Sequence, residues 1–142
     1  MKILFDTNVI LDVMLLRKPF YQVSSFLLAE AEKKTIDGFI CATTVTTIHH
    51  LVGKVKGSRQ ARQQIENLFH IFQIAQVNQV VLEKALHSRI KDYEDAVIHE
   101  AAIQQGIDGI VIRDPKDFRY AKLPVYDPEE LLRLLLSMKR MV

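Results

Sequence analysis

Cysteine occurs once in the 142 residues, at Cys41, so the chain has no internal disulfide framework and no multi-cysteine zinc site. A single thiol also fits a reducing compartment. Tryptophan is absent, which limits the aromatic surface available for stacking on a ligand. Five glycines and four prolines are too few for a flexible linker, and no repeat or low-complexity segment is present. No apolar run is long enough to cross a bilayer. The opening Met1-Lys2-Ile3-Leu4-Phe5 is interrupted by Asp6 and then Asp12, so it does not read as an export signal. Neither sign of charge dominates: 19 basic and 17 acidic residues leave a formal +2, which by itself does not mark a nucleic-acid binder. The 49% hydrophobic content against 25% charge suits one packed domain spanning 1–142, expected to be cytoplasmic and without membrane contact.

Short apolar runs alternate with helical stretches. Ile3–Phe5, Phe39–Ala42, Ile74–Val77, Gly109–Ile112 and Pro124–Tyr126 read as strands. Between them lie helices predicted over Val9–Leu16, Tyr21–Lys34, Thr43–Val55, Arg59–Phe72, Asn78–Leu86, Asp92–Gln105 and from Asp127 onward. Ser58, Asn78 and Asp127 are expected N-caps, and Gly106 the residue just past a helix end. Alternation of this kind implies an α/β three-layer sandwich around a central parallel sheet. Ligands of such sheets bind beyond the carboxyl ends of the strands.

Acids stand at those ends. Asp6 follows the first strand, and Asp114 and Asp117 follow the strand ending at Ile112. Asp95 shares helical spacing with Ile98, Ala101 and Ala102, which places it at the head of a buried stripe, with Asp92 one turn earlier. One Asp before a helix is ordinarily a cap, and Asp12 reads as a solubilising residue on an apolar helix. The joint pattern is more specific, on the premise that caps need not gather at one end of a sheet. Converging carboxylates repel each other, and a hard divalent cation relieves that repulsion. An all-oxygen donor set suits Mg²⁺ or Mn²⁺ rather than zinc.

Three segments in register carry a resemblance. Phe5-Asp6-Thr7-Asn8-Val9-Ile10-Leu11-Asp12, Asp92-Tyr93-Glu94-Asp95-Ala96 and Ile112-Arg113-Asp114-Pro115-Lys116-Asp117-Phe118 resemble the opening, central and last motifs of PIN domains, and the chain is of the size of the VapC-type toxin group. The resemblance implies a metal-dependent endoribonuclease, a hydrolase of single-stranded RNA, with Asp6, Asp95, Asp114 and Asp117 as catalytic and metal-holding residues. Asp92 is a further candidate ligand, and Thr7 and Asn8 shape the first loop. The toxin group is silenced by a small antitoxin, which makes a toxin–antitoxin pair the expected setting.

In one respect the chain departs from the family. A Glu is usual in the helix after the second strand, whereas this stretch reads Thr43-Thr44-Val45-Thr46-Thr47-Ile48-His49-His50, with Thr47 about where the Glu would stand. A hydroxyl is a weaker hard-cation ligand than a carboxylate. His49 and His50 point about 100° apart on a helix, so at most one could face the site. The alternative reading is therefore a catalytically weakened PIN fold that binds RNA or protein.

Other chemistries fit less well. A phosphoaspartate phosphatase of the haloacid-dehalogenase kind wants an acid two residues after Asp6, where Asn8 stands. No glycine-rich turn follows the first strand, which disfavours a dinucleotide site. Grip on RNA is expected from Arg113, Lys116 and Arg119, with Lys122 nearby, more than from Lys54, Lys56, Arg59 and Arg62. Tyr93, Phe118 and Tyr120 lie near the acids and could stack on a base. The apolar stretches Val13–Leu16 with Phe20, Tyr21, Phe26 and Leu27, and Leu131–Leu136, offer surface for a homodimer or an antitoxin helix.

Overall fold

The computed structural model describes residues 1–140. Its elements in chain order are β1 (Lys2–Phe5), α1 (Thr7–Met14), α2 (Tyr21–Glu32), β2 (Asp37–Cys41), α3 (Ala42–Lys56), α4 (Ser58–Ile71), β3 (Gln73–Ala75), α5 (Gln79–Leu86), α6 (Tyr93–Gln104), β4 (Gly109–Val111), a 3-10 turn (Pro115–Phe118), β5 (Val125–Tyr126) and α7 (Pro128–Arg140). The five strands form one sheet in the order β3-β2-β1-β4-β5, every pairing parallel. The first strand is thus the central one, flanked by strands from the two halves of the chain.

Successive strand residues point to opposite faces, and the core divides accordingly. Ile3, Phe5, Ile40 and Val111 pack with residues of α1, α2, α3, α4 and α7. Leu4, Phe39, Cys41 and Ile110 pack with residues of α5 and α6. The result is the expected three-layer α/β sandwich. Gly38 permits close approach of the layers: a Cβ there would stand 2.8 Å from the Phe72 ring and 2.9 Å from Ala31. Among the described residues, no helix is long and apolar enough to cross a membrane.

Helix ends account for most boundary differences from the sequence reading. Gly106, at φ +70°, closes α6 as expected. The same closure ends α2 at Lys34, where the Lys34 and Thr35 N–H groups donate to the carbonyls of Ala31 and Glu30. It ends α1 at Leu16, where the Leu16 and Arg17 N–H groups donate to Val13 and Asp12. Both residues sit at positive φ without being glycine, so α1 and α2 stop two residues short of the predicted ends. Ser58 is not a cap: Gly57, at φ +90°, precedes it, and Ser58 is the first helical residue. Asn78 and Asp127 do cap, donated to by Val81 N–H at 3.0 Å and Glu130 N–H at 2.8 Å. Glu130 reaches back to Asp127 N–H at 3.1 Å, completing a reciprocal capping box.

Candidate active site

A parallel sheet delivers every strand to the same edge, and each following helix begins there. Asp6 illustrates the consequence. Its N–H donates to Val111 at 3.0 Å, continuing the β1–β4 ladder. Its carboxylate, 4% exposed, accepts from Asn8 N–H at 3.2 Å as the N-cap of α1. Asp92 caps α6 by accepting from Asp95 N–H at 2.9 Å. Asp114 caps the 3-10 turn by accepting from Lys116 N–H at 3.2 Å. Caps therefore do gather at one end of a parallel sheet, contrary to the premise drawn from the sequence. The case for a site rests on where the side chains converge.

They converge on one open cavity of about 490 Å³. Asp6, Asp92, Asp95, Asp114 and Asp117 all line it, together with Thr7, Asn8, Thr47 and Arg113. Glu94 lines it as well, an acid the helical-stripe reasoning passed over because it is exposed and off the apolar face. Its place in the first turn of α6, between Asp92 and Asp95, was the available signal. Neither His49 nor His50 is part of the lining.

The charges are crowded. Burial pushes the Asp6 carboxyl up to about 6; the Asn8 and Thr7 N–H groups pull it back, Glu94 adds to the rise and Arg113 opposes it. Burial, then the charges of Asp92, Asp6, Asp117 and Glu94, push Asp95 up to about 7. Two carboxyls so raised beside other acids describe a pocket with an excess of negative charge.

Thr7 and Thr47 play different parts. The Thr7 and Thr44 hydroxyls share a buried hydrogen bond of 2.8 Å that ties α1 to α3. The Thr47 hydroxyl donates to its own helix, to the Thr43 carbonyl at 3.1 Å. Arg113 is held rather than free. Its guanidinium grips Asp12 with both Nε, at 3.0 Å, and Nη2, and lies 4.2 Å from the Phe20 ring centroid. Asp12 is 1% exposed and also has Arg17 at 3.6 Å, so it is a buried ion-pair partner and not the solubilising residue expected. Lys116, Arg119 and Tyr120 are exposed nearby, whereas Phe118 is buried and offers no stacking face.

The donor set is oxygen only, the chemistry of a hard divalent cation. Among the described residues, no three carboxylate, imidazole or thiolate groups stand close enough to grip one ion as positioned. The raised Asp6 and Asp95 are the groups whose ionised forms an added cation would favour.

The PIN domain family profile matches residues 2–116. The chain belongs to the PIN domain family. Comparison with curated protein sequences gives no match. Among solved structures, PIN toxins of the VapC type share its fold. VapBC2 from Rickettsia felis, bound to a DNA fragment from its promoter, aligns with a TM-score of 0.68 at 17% identity, covering 89% of this chain and 98% of that one. A toxin–antitoxin complex from Klebsiella pneumoniae aligns at 0.67 and 23% identity, covering 88% and 96%. VapC20 from Mycobacterium tuberculosis, a toxin that cleaves the sarcin-ricin loop, aligns at 0.67 and 15% identity, covering 83% and 94%. This PIN domain therefore has a VapC-like toxin fold.

Proposed function

We propose that this PIN domain, acting as one unit over residues 1–142, is a metal-dependent endoribonuclease of single-stranded RNA and the toxin of a toxin–antitoxin pair. The observation that carries the reading is the convergence of Asp6, Asp95, Asp114 and Asp117 on one cavity, with two of them raised by burial and by neighbouring acids. Asp6, Asp95, Asp114 and Asp117, with Asp92 at the rim, would hold Mg²⁺ or Mn²⁺. When bound, such an ion supplies Lewis-acid stabilisation of charge on a phosphodiester. The chain's own groups do the rest. Asp6 and Asp95, the carboxyls that burial and neighbouring acids raise, would be held in their ionised forms by such an ion. Arg113, immobilised by Asp12, fixes a positive charge on the cavity wall. Thr7 keeps α1 and α3 in register around the cavity. Lys116 and Arg119 give the phosphate backbone a sequence-independent hold.

The toxin setting is supported by neighbours solved as toxin–antitoxin complexes. Leu16, at 65% exposure, and Phe26, at 64%, leave apolar surface for an antitoxin or a second copy. A non-catalytic RNA- or protein-binding PIN module is the second reading. It is favoured by Thr47 in place of an acid and by carboxylates that do not form a ready-made cluster.

The deciding experiment incubates purified wild type and Asp6→Asn with varied single-stranded RNAs across Mg²⁺ and Mn²⁺ titrations. Metal-dependent cleavage by the wild type alone is expected. No Asp6-dependent cleavage under any condition would replace the ribonuclease reading with the binding module.

A further inference from the structure

Three hollows stand in series along one flank. The acidic cavity shares Asp92, Asp95 and Asp117 with a second hollow of about 370 Å³. That hollow shares Arg89 and Tyr120 with a third of about 660 Å³. Cations join the lining along the series: Arg89, Lys91, Lys116 and Arg119 enter at the second hollow, and Lys84 and Lys122, beside Glu83 and Glu100, at the third.

At the junction, Tyr120 organises two of these cations. The Arg89 guanidinium carbon lies 4.2 Å from the Tyr120 ring centroid and that of Arg119 lies 5.0 Å from it. A guanidinium held against a ring has lost much of its freedom already, while its N–H edges stay open to an acceptor. Among the described residues, no carboxylate stands within ion-pair distance of Arg89, Lys91, Lys116 or Arg119. Arg113, by contrast, is engaged by Asp12. Of the cations lining the first two hollows, the unpaired ones therefore lie on one side of the acids, and the paired one, Arg113, lines only the acidic cavity of the two.

We infer that an RNA strand leaves the acidic cavity in one direction, over the α5–α6 connection, with a backbone phosphate held between Arg89 and Arg119 at a spacing set by Tyr120. Arg89 and Arg119 are binding residues and Tyr120 a positioning residue. The inference rests on the RNA reading of the site and names the path its substrate takes. Phosphate, rather than base, is the recognised group, because guanidiniums occupy the tyrosine's neighbourhood and bind phosphate in fork geometry.

The test measures binding of a labelled oligouridylate to the Asp6→Asn protein over a salt series, so that affinity is read apart from cleavage. Arg89→Ala and Arg119→Ala should each weaken binding severalfold at low salt. Each should flatten the dependence of log affinity on log salt by about 0.7 per lost phosphate contact. Tyr120→Leu should behave like the arginine variants and Tyr120→Phe like the parent. Lys54→Ala and Arg59→Ala, at the α3–α4 junction, should leave affinity and slope in place. All these side chains are exposed on helix or loop surfaces, and far-ultraviolet circular dichroism verifies each fold. Unchanged affinity and slope in both arginine variants, or no RNA binding by the parent, overturns the path. Binding that depends on Arg89 and Arg119 in a wild type that cleaves nothing keeps the path and overturns the ribonuclease reading instead.

Discussion

Asp95 has the most perturbed carboxyl of the site, and its sign of coupling to stability is opposite to that of a salt-bridged acid. Its pKa is raised in the fold, so the folded state binds the proton more tightly than the unfolded chain. The stability this contributes is complete below the ordinary carboxylate range near 4 and is lost as pH climbs to about 7. Asp6 adds to the same trend up to about 6. His99, whose pKa burial lowers, runs the other way, so the comparison must be between variants that both retain it. In chelator, the thermal midpoint of Asp95→Asn should fall less than that of wild type between about pH 5 and about pH 8. Parallel profiles would show that Asp95 ionises normally. Thr47 supports a second expectation. Thr47→Glu adds a hard carboxylate to the lining, so Mn²⁺-dependent RNA cleavage should rise above wild type. Without metal, the added repulsion should lower the midpoint by about 3–4 °C for each kcal/mol lost. An unchanged rate with an unchanged metal-free midpoint would mean that a carboxylate at this position stays clear of the other acids.

At the level of elements, the ion pair between Asp12 on α1 and Arg113 after β4 fastens two segments 101 residues apart. Breaking a fully buried pair costs about 3–5 kcal/mol. Arg113 is 31% exposed and Arg17 stays near Asp12, so Arg113→Ala should cost about 2–3 kcal/mol in urea unfolding. Arg113→Lys should recover part of that, keeping the charge but not the two-pronged geometry. A loss under 0.5 kcal/mol in Arg113→Ala, about the scale of an ordinary surface change, would show the pair to be dispensable. The sequence displayed Arg113 only as a cation beside acids, because its partner is remote in the chain. The five strands and Asn78, Asp127 and Gly106 as helix punctuation were readable, since each has a local signature. Lys34 and Leu16 in left-handed conformation were not, because helix closure there falls on residues without the usual glycine preference. Glu94 and the burial of Asp12 escaped for one reason: helical periodicity ranks faces by hydrophobicity and does not see what a neighbouring element places beside a charge.

Across the whole molecule, five aspartates and Glu94 collect around one cavity, and Arg89, Lys91, Lys116 and Arg119 lie to one side of it. An ion that binds only the folded arrangement must stabilise it by mass action, by about 2.7 kcal/mol at a hundredfold excess over its dissociation constant. Mg²⁺ or Mn²⁺ should therefore raise the wild-type thermal midpoint, and Asp95→Asn should abolish the rise. A shift that survives Asp95→Asn would remove Asp95 from the ligand set. The order of strands has a further result. The central strand β1 is made first, yet one of its two neighbours is β4, at Gly109–Val111, and Asp114 and Asp117 come later still. Asp12 waits equally long for Arg113. While the chain is being synthesised, Asp6 emerges 89 residues before Asp95 and 108 before Asp114. Any activity of this cavity is consequently withheld from the growing polypeptide until Asp117 has left the ribosome, a delay that follows from the strand order.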